Sequence, residues 1–100
     1  MNYEPITITE LDKIMSNNKG FFDVISANTY GFSINLLCTD VRFHKDMKNN
    51  SKYSSISLIC VNKELQIQEN TIRVIFLNED KTITIVFNNN LPDLIIKYIK

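Results

Sequence analysis

The sequence predicts a two-layer α+β domain. The expected order is α-β-β-β-(β)-β-β-α: a mostly antiparallel sheet of five to six strands, an N-terminal helix and a short C-terminal helix. Three observations carry this. A capped amphipathic stretch lies near the start of the chain. From Phe21 onward the pattern changes to β-branched and aromatic runs parted by short polar turns. The connections are short, which favours antiparallel neighbours, and helices placed on one face of such a sheet give two layers.

The first helix is expected over 7–17. Thr7-Ile8-Thr9-Glu10 reads as a capping box, with Thr7 as N-cap and Glu10 reaching back to it. Ile8, Leu11, Ile14 and Met15 share one face at helical spacing. Asn17-Asn18-Lys19-Gly20 is a stop, because Gly20 can take a left-handed conformation. Residues 21–26 read as a strand and 27–31 as a turn. In 32–43 the alternation changes phase at Leu36-Leu37, with Phe32, Ile34 and Leu36 on one side and Leu37, Val41 and Phe43 on the other. That change predicts a bulge or a strong twist. Residues 45–54 are a polar loop, 55–61 a third strand, 62–64 a turn and 65–68 a short strand.

The last hairpin joins 71–77 to 82–88 through Asn78-Glu79-Asp80-Lys81. A four-residue loop pairs Leu77 with Thr82, and counting back pairs Phe76 with Ile83, Val74 with Ile85 and Ile72 with Phe87. Those six side chains then form a core face. The opposite face carries Arg73, Ile75 and Leu77 against Thr82, Thr84 and Val86, and is only half polar. Pro92 and Asp93 suit the first turn of a helix, with Leu91, Leu94, Ile95 and Tyr98 on one stripe and Ile96 and Ile99 off it. A helix this short is marginal alone and is expected to dock on the sheet.

The 100 residues are taken as one domain, 1–100, with no internal repeat and no linker. Eleven basic and eleven acidic residues cancel, and 44% of residues are hydrophobic, which excludes a disordered tail, a collagen-like chain and a globally basic nucleic-acid module. Ile (15), Asn (13) and Lys (9) dominate, while Ala, Gly, Pro and Arg are scarce; the codon bias points to an AT-rich bacterium, phage or mobile element. No signal peptide and no membrane span are expected, and the default compartment is the cytoplasm.

Cys38 and Cys60 are too few for a disulfide framework and read as buried free thiols, with one bridge open if their strands are neighbours. Cys38, Cys60 and His44 lack the tight spacing of a zinc site, so neither metal nor cofactor is expected. Nucleophilic catalysis with a histidine base would have to use His44, the one histidine, which is expected to be solvated at a strand end. No glycine-rich phosphate loop or other catalytic motif is present, and Glu79-Asp80 are ordinary turn formers. Asn49-Asn50-Ser51 matches a glycosylation sequon by chance.

The neutral total hides an uneven distribution: residues 1–40 carry net −3 and residues 41–52 net +3. Arg42, His44, Lys45, Lys48, Lys52 and Tyr53 are therefore candidate anion or nucleic-acid contacts, with Tyr53 placed to stack on a base. Ile75, Leu77, Val86, Ile96 and Ile99 exceed what one small core needs and are the candidate apolar partner-binding face. The expected function is non-catalytic protein binding, to another protein or to a second copy, on the pattern of a small inhibitor, immunity or antitoxin-like protein. A weak nucleic-acid or nucleotide binder using 42–53 is the alternative.

Overall fold

The computed structural model describes residues 3–18, 20–27, 33–49, 52–88 and 90–99. Strand β1 (Tyr3–Ile6) leads into helix α1 (Ile8–Asn17), followed by β2 (Phe22–Ala27), β3 (Ser33–Lys45), β4 (Tyr53–Cys60) and β5 (Glu64–Gln68). A 3-10 turn (Glu69–Thr71) then opens β6 (Ile72–Asn78), β7 (Ile83–Phe87) and β8 (Leu94–Tyr98). All eight strands form one antiparallel sheet in the order β1-β6-β7-β8-β2-β3-β4-β5. The α+β class with an antiparallel sheet stands. Among the described residues the strand count rises from five or six to eight, and the C-terminal helix is replaced by β8. Of the expected turn at 27–31, Ala27 ends β2 instead, and 28–31 lie outside the described residues, as do Phe32, Lys19, Asn50, Ser51 and Asn89.

The connectivity forces the sheet to curl. Strand β5 is one edge and β6 is second from the other edge, yet only Glu69–Thr71 join them. Six strand spacings would put β5 and β6 roughly 29 Å apart in a flat sheet. The chain from Gln68 to Ile72 reaches at most about 14 Å. The sheet therefore rolls towards a barrel and stays open between β1 and β5. Extents of 41 × 28 × 27 Å agree with a roll. Helix α1 contributes buried Leu11 and Met15, with Ile8 and Ile14 partly buried, to one core cluster with Phe22, Val24, Ile56, Leu58, Ile83, Ile85 and Ile96. Burying a side chain such as Leu11 is worth about 1.5–3 kcal/mol.

The helix forms as its sequence dictates. The Thr7 hydroxyl accepts from the Glu10 N–H at 3.1 Å, and the Glu10 carboxylate accepts from the Thr7 N–H at 3.0 Å. At the far end the Asn18 amide donates to the Ile14 carbonyl at 2.7 Å, and Gly20 follows at φ +133°, a backbone that side chains disfavour. The phase change in β3 is also present, a little later than expected: pairing with β4 shifts between Cys38 and Asp40. Leu36 and Cys38 face the core before the bulge, and Val41 and Phe43 pack against it afterwards.

The hairpin register is one residue away from the expected one. The Asn78 N–H donates to the Thr82 carbonyl at 2.9 Å and the Lys81 N–H to the Asn78 carbonyl at 3.0 Å, so the loop holds three residues. Lys81 takes φ +72° to close it. Leu77 therefore pairs with Ile83, Phe76 with Thr84, Ile75 with Ile85 and Val74 with Val86. Ile75, Ile83 and Ile85 face the core, while Phe76 and Val74 turn outward. A register shift between Ile72 and Val74 restores the expected pair Ile72–Phe87.

The C-terminal segment is a strand because it alternates and because the sheet has a slot for it. Leu94 and Ile96 are buried and Ile95 and Lys97 are exposed, which is period two rather than 3.6. Strand β8 pairs with β7 on one side and β2 on the other. As a helix it would leave both of those strands with an unpaired edge. Strand β1 went unforeseen because it is four residues long and holds Pro5. An edge strand tolerates proline, since one of its sides has no ladder.

Candidate functional site

Successive side chains of a strand alternate between faces, so the register sorts them. On the outer surface one row runs Pro5, Phe76, Thr84, Ile95, Ile25, Asn35 across β1, β6, β7, β8, β2 and β3. The inner row beside it runs Ile6, Ile75, Ile85, Leu94, Ser26, Ile34. From Pro5 to Ile25 the outer row spans roughly 19 Å along the sheet. Val74 and Val86, an outward cross-strand pair, widen it on one side, and Leu37, 43% exposed, lies beyond Ile25.

This row replaces the apolar face expected from the sequence. Ile75 and Ile96 are core residues, 4% and 1% exposed, and Leu77 packs against the core. Of the five expected residues, Val86 is half-buried on the outer surface and Ile99 is 49% exposed just past β8. The sequence reading missed Phe76, Val74, Ile95 and Ile25. The first two were hidden by the miscounted loop, whose left-handed residue is a lysine and not the glycine or asparagine that would have signalled it. Ile95 was hidden by the helix assignment.

The basic segment lies along β3 and in the connection that joins it to β4. Arg42 and His44 are exposed on β3. Lys45 holds its Nζ 5.1 Å from the centre of the Tyr53 ring. Tyr53 itself is 6% exposed. It packs edge-on to Phe43 at 5.8 Å and donates its hydroxyl to Asp12 Oδ2 at 2.6 Å. That bond, and then burial, push its phenol above the ordinary value. A ring so placed cannot stack on a base, which corrects that expectation. Lys48 and Lys52 are exposed in the connection between β3 and β4: the Lys48 N–H donates to Asp46 Oδ1 at 2.7 Å and the Asp46 N–H to the Lys52 carbonyl at 2.8 Å.

His44 is exposed, yet it has a partner that spacing did not reveal. Its Nε2 lies 2.9 Å from Ser57 Oγ, and Ser57 Oγ donates to Glu64 Oε2 at 3.2 Å. Serine, histidine and carboxylate meet on β3, β4 and β5, with the serine in the middle. In a nucleophilic triad the histidine stands between the other two. Ser57 is also only 1% exposed, so its oxygen is closed to a substrate. The arrangement satisfies a buried hydroxyl.

Two adjoining clefts, of about 360 and 440 Å³, open at the C-terminal end of α1 and share Asn18 and Tyr98. Met15, Phe22 and Val41 line the first, and Ile14, Leu77 and Lys97 the second. Tyr98 stacks obliquely on Phe22 at 5.4 Å. Its buried hydroxyl has no hydrogen-bond partner among the described residues, and burial pushes the phenol up to about 12.

Among the described residues no group of three or more His, Cys, Asp or Glu could hold a metal ion, and no helix is long and apolar enough to cross a membrane. No protein-family model, no curated protein and no solved structure matches this chain.

Proposed function

We propose that the chain is a small, non-catalytic protein-binding module that docks its outer sheet surface on another protein. The observation that carries this reading is the outward row Pro5, Phe76, Thr84, Ile95, Ile25, flanked by Val74 and Val86. An apolar band across five strands, with the core already filled from the other face, is surface that association would remove from water. Lys97 and Asp23 pair across β8 and β2 beside it and supply a polar rim. The finer reading is a cytoplasmic inhibitor, immunity protein or antitoxin-like partner from an AT-rich bacterium, phage or mobile element. It rests on size, neutrality and codon bias, by analogy rather than by site chemistry.

The test is affinity capture from host lysate with the tagged chain and with Phe76→Lys and Ile95→Lys. One stoichiometric protein, lost in both variants while their urea midpoints stay near wild type, is the expected result. Retention of that protein by both variants overturns the reading, as does recovery of nucleic acid alone, which would promote Arg42 and His44. Recovery of the untagged chain alone assigns the face to a homodimer instead.

A further inference from the structure

We propose that Cys38 and Cys60 are a modification site, a pair of thiols that closes reversibly into a cross-strand disulfide joining β3 to β4. The two residues lie directly opposite each other in the ladder, and their Sγ atoms are 3.0 Å apart. Both thiols are free, and each has only a weak further contact, to the Leu36 and Leu58 carbonyls at 4.0 Å. Opposed residues of antiparallel strands have Cα atoms about 4.5–5.5 Å apart, inside the roughly 4.4–6.8 Å that a disulfide spans. Closing the bond asks the sulfurs to approach by about 1 Å, which side-chain rotation supplies without moving the strands.

The position adds consequence to the geometry. The pair stands at the bulge of β3, and the three residues that follow Cys38, namely Thr39, Asp40 and Val41, line the first cleft at the end of α1. Cys60 is the last residue of β4. A covalent bond there fixes a place in β3 where the ladder is already interrupted, and with it one wall of the cleft.

The less deeply buried residue of the pair sets the order of events. Cys60 is 8% exposed and Cys38 fully buried. With a low-molecular-weight disulfide such as oxidised glutathione, Cys60 as thiolate attacks one glutathione sulfur, and the first glutathione leaves as its thiolate. Cys38 then gives up its proton to solvent and attacks the Cys60 sulfur, and the second glutathione leaves. Two protein thiols lose two electrons and two protons, and one oxidised glutathione becomes two reduced ones. Burial pushes the Cys38 thiol up to about 12, so the second step waits on transient opening of the strand end and is slow. Once formed, the bond is shielded from reductant by the same burial.

The purified chain, incubated with excess oxidised glutathione, is quenched in acid, unfolded, alkylated and weighed intact. A second series runs in sub-denaturing urea, where the strand end opens. The expected species is a monomer lighter by two hydrogens and carrying no alkyl group, with a Tm raised by roughly 10 °C. Reduction restores two alkylated thiols and the original Tm. Cys38→Ser and Cys60→Ser each fail to show the loss or the shift, even where the variant remains folded. Two alkylated thiols in both series, a persistent glutathione adduct or a disulfide-linked dimer overturns the proposal.

Discussion

The phenol of Tyr53 and the carboxylate of Asp12, 41 residues apart, meet at 2.6 Å and tie the start of β4 to the middle of α1. Asp12 Oδ1 also accepts from the Ser16 hydroxyl at 3.0 Å. The helix thereby gains a polar anchor beside its apolar one. Tyr53→Phe removes the donor while keeping the ring against Phe43. The expected cost is about 1–2 kcal/mol of unfolding free energy by urea titration. A loss near zero would show that water replaces the bond without penalty.

The hairpin turn offers a gain. Lys81 sits at φ +72°, where a Cβ is strained and glycine is not. Asp80 Oδ1 accepts from both the Thr82 N–H and the Thr82 hydroxyl, the latter at 2.6 Å, and these bonds hold its carboxyl below the usual value. The turn is otherwise well built, so Lys81→Gly should stabilise by about 0.5–1 kcal/mol. Lys81→Val, β-branched at positive φ, should cost more than that. Thermal unfolding of the pair checks both directions.

Core and surface on the two sides of the sheet are separable by charge insertion. Ile75→Lys and Ile96→Lys place an ammonium among fully buried side chains and should cost about 4 kcal/mol or more, enough to unfold a small domain. Phe76→Lys and Ile95→Lys, one step along the same strands, should keep the fold. Circular dichroism of the four variants distinguishes them. Uniform behaviour would contradict the register.

Alkali should destabilise the fold over a defined window. Burial first, and then the neighbouring Cys60 and Asp23, push the Cys38 thiol from 9.0 to about 12; burial pushes the Tyr98 phenol from 10.0 to about 12. The folded chain keeps these protons where the unfolded chain releases them. Their stabilising contribution is therefore complete below the ordinary values and is lost as pH rises towards about 12. Urea midpoints should fall above pH 9.0, and Cys38→Ser and Tyr98→Phe should each flatten the decline. At neutral pH, Tyr98→Phe removes an unpaired buried hydroxyl and should be neutral or stabilising by up to about 1 kcal/mol.

The short basic segment predicts weak, salt-sensitive nucleic-acid binding at most. The wild-type chain should bind a single-stranded oligonucleotide no more than weakly at low salt. Tight binding that is lost, with a shallower salt slope, when Lys45, Lys48 and Lys52 are changed together to Glu would restore the segment as a phosphate contact.

Local rules were enough for the helix. Thr7, Glu10, Leu11 and Met15 act within one or two turns, and cap, face and stop all lie within the first 20 residues. The bulge of β3 was legible for the same reason, since it follows from the phase of Leu36 against Val41. The candidate face was not legible. One residue in a loop decides whether Ile75 or Phe76 points into the core, and a lysine at positive φ leaves no mark in the sequence. The contact of His44 with Ser57 needed the β3–β4 register.

What the sequence determined by itself was the α+β class, the capped first helix, most strand positions and the neutral, AT-biased composition. These depend on propensity and periodicity over short windows. Tertiary structure decided the rest. It made 94–98 a strand because the ladder between β7 and β2 was open. It rolled the sheet because three residues must join β5 to β6. It set Cys38 against Cys60 across 22 residues, a pairing that only the closure of non-local strands could bring about.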